Sequence, residues 1–277
     1  MSEPPRSRSA RDLAERALIR LALAYGGTPE FVLLGGLVPD LLCSQAQHSH
    51  VGTTDVDVQV NLELARAAVN AQRLEQALRT SGFIPDAQRI WRWKDQQASG
   101  AVVKVEFLAD LDDQPNQATL SFNSCEHLGA VNLRGTRFAA QDWSPRRLTA
   151  VMDGSAVTVS IRAADLCGYL LAKTCAAHAR ASDKDWYDVA YVLLHNDDES
   201  EATHIGKLVR KRFGDAISGS VRTALVELRA NFRDDRGQGT RAYVSTMLHL
   251  YPELDRDVLG QDATAVVSGF VAGGLHQ

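Results

Sequence analysis

Asp55 and Asp57 stand two apart in a stretch, Asp55 to Val60, in which Asp55, Asp57 and Gln59 alternate strictly with Val56, Val58 and Val60. That period belongs to a half-buried strand, so both carboxylates leave one face about 7 Å apart along the chain. Oxygen donors at this spacing suit magnesium, which combines carboxylate, water and substrate phosphate in its shell. A pair of such ions activates an attacking oxygen and stabilises a leaving one. A third carboxylate from a neighbouring strand completes a site of this kind. Glu106 is the first candidate, because Lys104 and Glu106 share a face opposite Val103, Val105 and Phe107; Asp110 is the second. An Asp-x-Asp pair is also the ordinary composition of a solvated sheet face, so its neighbours must decide.

One neighbour is Gly35-Gly36, between the apolar run Phe31 to Leu34 and a helical stretch, Leu37 to Ser44. A strand, glycine turn and helix in that order let backbone amides approach a triphosphate, with a helix N-terminus favouring its charge. Another lies in the second half of the chain, where Lys173, Arg180, Lys184 and Asp188 are spaced to share a stripe on one helix. Ser182-Asp183 offers the other reading, an N-cap that begins a second helix with Asp185 and Asp188 on one face. Lys173 and Arg180 share a face in either case.

The elements that must position these residues follow from patterning. An amphipathic helix is predicted over Ala10 to Tyr25, another over Leu62 to Thr80, and strands over Ile90 to Lys94 and Ala101 to Leu108. Short β-prone pieces at Ala130 to Leu133, Leu148 to Met152 and Ala156 to Ile161 extend the sheet. Beyond Ile161 the pattern turns helical, over Ala163 to Ala181, Trp186 to His195, Ile205 to Phe213, Ser218 to Phe232, Ala242 to Leu250 and Ala263 to Ala272. The expected architecture is α/β (α+β): residues 1–161 form a mixed sheet flanked by helices, and residues 162–277 a C-terminal α-helical domain.

Composition agrees with folded domains. The chain has 277 residues, 45% apolar and 23% charged, with a net charge of −4 and a pI near 6.1, which excludes disordered, collagen-like and disulfide-stapled classes. Cys43, Cys125, Cys167 and Cys175 show no CxxC spacing and read as reduced thiols, which points to a cytoplasmic protein. No run approaches the roughly 18 apolar residues of a membrane span.

The order Leu33-Leu34-Gly35-Gly36, then Thr53-Thr54-Asp55-Val56-Asp57, then Val105-Glu106-Phe107 resembles the nucleotidyltransferase superfamily, with its DNA-polymerase-β-like fold. The segment Leu171-Ala172-Lys173, through Arg180, to Lys184-Asp185-Trp186-Tyr187-Asp188 resembles the Lys…Arg…Lys-Asp-x-x-Asp motif of the AbiEii/AbiGii-type nucleotidyltransferase toxins, the group that includes the MenT enzymes. The resemblance implies transfer of a nucleoside monophosphate from an NTP to a hydroxyl, such as the 3′ end of tRNA, under control of a cognate antitoxin. It implies Asp55, Asp57 and Glu106 as magnesium ligands. Gly35, Gly36, Thr54, Lys173, Arg180 and Lys184 would contact the nucleotide, with Lys173 also counted among the catalytic residues, and Glu106 or Asp188 would orient or deprotonate the acceptor hydroxyl. Thr54 would supply the hydroxyl that Gly36 lacks.

Two other readings accompany it: a non-catalytic module of the same fold that binds a nucleotide or a partner protein, and a transferase acting on a small molecule or a protein side chain. Lys207, Arg210, Lys211, Arg212, Arg222 and Arg229, and the Trp91-Arg92-Trp93 run, are candidate nucleic-acid contacts. His48 and His50 read as loop histidines, because no further ligands stand at zinc spacing. Ser155 and Ser160 have no histidine partner, so hydrolase chemistry has no support.

Overall fold

The computed structural model describes residues 8–51, 55–60, 68–96 and 101–275, with the side chains of 8–10, 55–60 and 68–69 excepted. Among them are ten α-helices and nine strands, a mixed α/β architecture. The chain divides into two units, Met1–Leu41 with Val51–Asp165 and Leu42–His50 with Leu166–Gln277.

In the sheet unit the elements run α1 (Arg8–Tyr25), β1 (Phe31–Leu34), α2 (Val38–Leu42, whose last residue opens the other unit), β2 (Asp55–Val60), α3 (Ala68–Thr80), β3 (Ile84–Pro85), β4 (Arg92–Gln96) and β5 (Val102–Ala109). They continue through β6 (Thr119–Ser121), β7 (Gly129–Asn132), α4 (Arg137–Gln141), β8 (Trp143–Met152) and β9 (Ser155–Ala164). The strand order is β3-β4-β5-β2-β1-β9-β8, with β7 continuing along β5 and β6 pairing β7. β1, apolar throughout and buried throughout, lies between antiparallel β2 and parallel β9, as a central strand must. β5 alternates: Val103, Val105 and Phe107 are buried on one face, with Lys104 and Glu106 between them. α1 buries Ala14, Ala17, Leu18 and Leu21 and packs on α3, β5, β8 and β9. The guanidinium of Arg79 on α3 lies over the Trp93 ring.

Strands β1 and β2 fall where the sequence places them. The start predicted for α3, residues 62–67, lies outside the described residues. The largest difference is at the end of the unit. β8 and β9 form a ten-residue antiparallel hairpin that reaches Ala164, so residues 162–164 are sheet rather than the start of a helix. Their alanine-rich composition suggests a helix, but pairing of Ala163 with both Leu33 and Ser144 holds them extended. The unpredicted α4 packs on β1, β2 and β9.

The helical unit contains α5 (Leu166–Arg180), α6 (Asp183–His195), α7 (Ala202–Phe213), α8 (Gly219–Asn231), α9 (Gln238–Leu250) and α10 (Arg256–Leu275), with a short 3-10 turn at Gly214–Ala216. α5 packs on α6 and α8, α9 on α6, and α10 on α6, α7, α8 and α9. Residues 42–50, sheet-side in the sequence reading, belong here: Asp197 accepts bonds from the Gln45 amide and the Ser44 hydroxyl at 2.9 and 2.8 Å, and its own amide donates to the Leu42 carbonyl at 2.8 Å. None of the four cysteines is disulfide-bonded.

α10 is long and apolar enough to cross a membrane by length and composition, with a mean hydropathy of 1.2 over 18 residues. The sequence reading shortens it to Ala263–Ala272, because Asp257, Gly260, Gln261 and Asp262 interrupt the apolar pattern. Its Ala263, Val267, Phe270 and Val271 are fully buried in the helical unit. Glycines bring α10 and α7 into close approach: a Cβ on Gly206 would stand 2.1 Å from the Phe270 carbonyl oxygen, and one on Gly273 2.1 Å from that of Thr203. Gly206→Ala must therefore push two backbones apart. We expect a loss of about 1–3 kcal/mol or more, read as a lower urea midpoint for the helical unit.

Candidate functional site

In the sheet unit, register assembles the acidic positions. β2 runs antiparallel to β1 with Leu34 paired to Asp57, so the Gly35-Gly36 turn emerges beside the Asp-x-Asp stretch. β2 runs parallel to β5, pairing Asp55 with Lys104 and Asp57 with Glu106; β4 then pairs Arg92 with Glu106 and Lys94 with Lys104. Two rows cross the three strands, Asp57–Glu106–Arg92 and Asp55–Lys104–Lys94. Adjacent acidic positions on paired strands repel unless a cation lies between or beside them. Arg92 is such a cation: its Nε donates to Glu106 Oε1 at 2.6 Å, and its Nη2 pairs with the same oxygen. The side chains of Asp55 and Asp57, and all of Thr54, lie outside the described residues. Among the described residues no group of three His, Cys, Asp or Glu side chains is arranged to hold a metal ion.

Of the two third-carboxylate candidates, Glu106 is the one set beside Asp57. Asp110 is committed elsewhere. It is buried, its Oδ2 accepts the Gly135 and Arg137 amides at 2.8 and 3.4 Å, and Arg134 and Arg137 pair with it at 3.4 and 3.7 Å. It anchors the turn into α4. Gly35 has a φ of +91°, open to glycine and strained for other residues, and its carbonyl accepts the Val38 amide at 3.2 Å. Both glycines are buried. α2, only five residues long, supplies little of the helix dipole expected there.

In the helical unit the alternative with two helices is the one adopted. α5 ends at Arg180, Ala181 turns with a φ of +48°, and Ser182 is the N-cap of α6. Asp185 and Asp188, three apart, then share a face of α6. Lys173 Nζ donates to Asp185 Oδ1 at 3.1 Å and lies 2.9 Å from Asp188 Oδ2. Arg180 donates to both Asp185 oxygens at 2.9 and 3.1 Å. His50 donates from Nε2 to Asp188 Oδ1 at 2.8 Å, since a carboxylate can only accept. The side chains of Lys173, Asp185, Asp188 and His50 are at most 5% exposed, whereas that of Arg180 is 53% exposed. Burial alone would lower the pKa of Lys173, but the charges of Asp188 and Asp185 outweigh it and the pKa is raised. Two cations and two carboxylates thus pair with one another, and Arg180 alone of the four presents its side chain to solvent. Lys184 is half-buried at the start of α6.

Several sequence readings change. His50 does stand in a loop, but its ring is buried between Tyr187 and Tyr191, with centroids at 5.1 and 4.9 Å, rather than set in a solvated polar segment. Its partner lies 138 positions away, so nothing local could reveal it. The His48 carbonyl accepts the Tyr191 hydroxyl at 2.6 Å. Trp93 is fully buried, paired with Val105 on the core face, and cannot stack on a nucleic acid; Arg92 serves Glu106. Lys207, Lys211, Arg212, Arg222 and Arg229 are exposed on α7 and α8, and Arg210 is half-buried.

No protein-family model matches the chain, and neither a curated protein nor a solved structure is similar to it.

Two outcomes test the helical cluster. Lys173→Met leaves two buried carboxylates facing each other and should cost about 3–5 kcal/mol, against at most ~1 kcal/mol for Arg180→Ala, whose exposed arm is screened by solvent; urea titration measures both. His195, one helical face along from Asp188, has its pKa lowered to about 4 by burial and by His48. The unfolded chain binds that proton near pH 6.5, so its stabilising contribution is complete above 6.5 and is lost as the pH falls to about 4. In His195→Gln that part of the pH–stability slope should disappear.

Proposed function

We propose that the chain is a magnesium-dependent nucleotidyltransferase. The observation that carries this is the pairing of Asp57 with Glu106, one pleat from Asp55 and beside the turn that follows β1. The resemblance to nucleotidyltransferases asks for acidic positions set together in this way. The donor set fits the metal, because the positions offer hard carboxylate oxygens where two acids stand together and a cation is called for. Asp55, Asp57 and Glu106 would hold Mg²⁺, which when bound polarises the phosphoryl group and draws charge from the leaving pyrophosphate. Glu106 must then share its carboxylate between the metal and Arg92, which fixes the side chain from the opposite strand.

An acceptor hydroxyl attacks the α-phosphorus of the NTP and gives up its proton to solvent or to a neighbouring carboxylate, the bond from the α-phosphorus to the α–β bridging oxygen breaks, and pyrophosphate leaves with that oxygen. The resemblance adds Lys173, Arg180 and Lys184 as cations for the triphosphate. Of these Arg180 has the exposed guanidinium, so we assign the phosphate contact to it and a structural role to Lys173 and Asp188. The tRNA 3′ end as acceptor, a cognate antitoxin as inhibitor and a cytoplasmic site of action complete the proposal.

A second reading is favoured by one observation: Arg92 already occupies Glu106 Oε1, and a Glu106 held there suits a module that binds a nucleotide without turning it over. Labelled NTP, Mg²⁺ and total tRNA decide between them. The transferase reading expects label on RNA, and a loss of ~100-fold or more in Asp57→Asn and Glu106→Gln, equivalent to ~2.7 kcal/mol of barrier, with both variants folded. NTP binding in a calorimeter without any transfer supports the binding module instead.

A further inference from the structure

In the helical unit the first turns of α9 and α10 border a cleft of about 550 Å³, lined by Thr240, Arg241, Arg256, Gly260, Gln261 and Thr264. Clefts that hold organic ligands measure roughly 300–1,000 Å³, and one water takes up only about 30 Å³. Thr240 is 1% exposed, and its hydroxyl has no hydrogen-bond partner among the described residues. Thr174 and Thr223 donate to carbonyls one turn back, at 2.8 and 3.1 Å. Thr240 is the third residue of α9 and has no helical turn behind it. A buried hydroxyl left in this state costs stability until something meets it. Asp234, Asp235 and Asp257 also stand on the wall, and helix geometry accounts for them, because a helix N-terminus is a positive dipole end that favours acids. Asp257 lies in the first turn of α10; Asp234, just before α9, accepts the Arg236 amide at 3.0 Å and pairs with Arg233 at 3.1 Å. The arginines run the other way. Arg256 opens α10 and Arg241 ends the first turn of α9, where the dipole opposes a cation. Both are exposed, and neither is ion-paired among the described residues. Asp255 caps α10, accepting the Asp257 and Val258 amides at 2.8 and 3.1 Å, whereas α9 begins at Gly237, which has no side chain to cap it.

We propose that this cleft binds an organic phosphate monoester, its phosphate held by Arg241, Arg256 and the Thr240 hydroxyl. Two guanidinium forks and a hydroxyl offer about five donors, which suits the three terminal oxygens of a phosphate better than the two of a carboxylate. The uncapped start of α9 adds a positive end of its own. A phosphate fills only part of the cleft. The rest, walled by Gln261, Thr264, Val244 and Ala265, takes the organic part, and Asp235 and Asp257 accept hydrogen bonds from its hydroxyl or amino groups. The same acids disfavour a ligand that is anionic throughout. A sugar phosphate and a nucleoside monophosphate share the chemistry required. No residue of the proposed transfer site lines this cleft, so the proposal goes beyond the nucleotidyltransferase reading and does not rest on it.

The full chain, in EDTA so that no magnesium takes part, is titrated in a calorimeter with ribose 5-phosphate, AMP, adenosine and inorganic phosphate. The expected result is a Kd below about 1 mM for ribose 5-phosphate or AMP, binding of inorganic phosphate at least ~10-fold weaker, and none of adenosine. Equal affinity for the two esters assigns a sugar phosphate, and tighter AMP a nucleotide. Arg241→Gln and Arg256→Gln should each weaken binding ~10-fold, the scale of a lost charge-assisted hydrogen bond, and Arg222→Gln, outside the lining, should not. Thr240→Val keeps the shape and removes the hydroxyl. It should bind ~5-fold more weakly while the urea midpoint of the empty protein stays level or rises, because an unmet polar group is gone. No binding of either ester by the folded wild-type chain at ~10 mM overturns the proposal. So does inorganic phosphate binding as tightly as the esters, which is an adventitious ion only. Binding that survives both arginine variants and is lost in Arg180→Ala overturns it as well, and gives the ligand to the cation assigned to the triphosphate. A Thr240→Val chain with a lower midpoint and wild-type binding leaves the hydroxyl to a buried water, which also overturns it. A chain that transfers no nucleotide but binds the esters through Arg241 and Arg256 overturns the enzymatic reading alone.

Discussion

The helical unit is organised around one constraint: Lys173 cannot be buried as a cation unless carboxylates meet it. A lysine ammonium removed from water is costly by many kcal/mol unless paired, and three separate features of the chain answer that cost. α5 must stop so that α6 can restart with Asp185 and Asp188 on its inner face, and Ala181 accepts a left-handed backbone to make the stop. Arg180, at the last turn of α5, closes the free side of Asp185. The remaining oxygen of Asp188 takes a proton donor from residues 42–50. Lys173 is the shared partner of Asp185 and Asp188, so its removal leaves both carboxylates buried without that cation, whereas Asp185 keeps Lys173 when Arg180 is removed.

The sheet unit is ordered by the opposite device. There the acids are not neutralised in pairs by design of a helix face; they are juxtaposed by register. A parallel β2–β5 pair shifted by one residue would set Asp57 beside Val105 or Phe107, moving an acid onto the core face. The register that buries Val103, Val105 and Phe107 is therefore the one that stacks Asp57, Glu106 and Arg92 in a row. Core packing and the placement of the acids are a single choice, and the row cannot be lost without disturbing the core.

What the sequence made legible follows from the range of the forces involved. β1 and β2 are visible at their observed limits because a four-residue apolar run and a strict alternation are local signals. Ser182 as the cap of α6 is visible for the same reason. The hairpin of β8 and β9 is only half visible, since much of it is exposed on both faces and Pro145, Arg146 and Arg147 break any alternation. The Trp91-Arg92-Trp93 run has period two whether its aromatics face solvent or core; only its partner strand decides, and Trp93 opposite Val105 decides for the core. Residues 42–50 carry no periodic signal. Their membership in the helical unit rests on hydrogen bonds to Asp188, Tyr191, Asp197 and Tyr251, all of them more than a hundred positions away.

Lys173 and Asp188 attract attention as a motif because of their types and spacing, and those are the types and spacing that substrate contact would need. They are equally what a buried ion pair between consecutive helices needs. Burial separates the two: a residue that meets a triphosphate must offer it an atom, and Lys173 offers its ammonium to Asp185 and Asp188 instead. Arg180 differs in this respect alone, holding Asp185 with one edge of a half-exposed guanidinium whose planar fork has donors to spare. The same spacing therefore carries both kinds of residue, a lysine that builds the helix pair and an arginine able to serve an anion, and the side chain's access to solvent is the physical quantity that tells them apart.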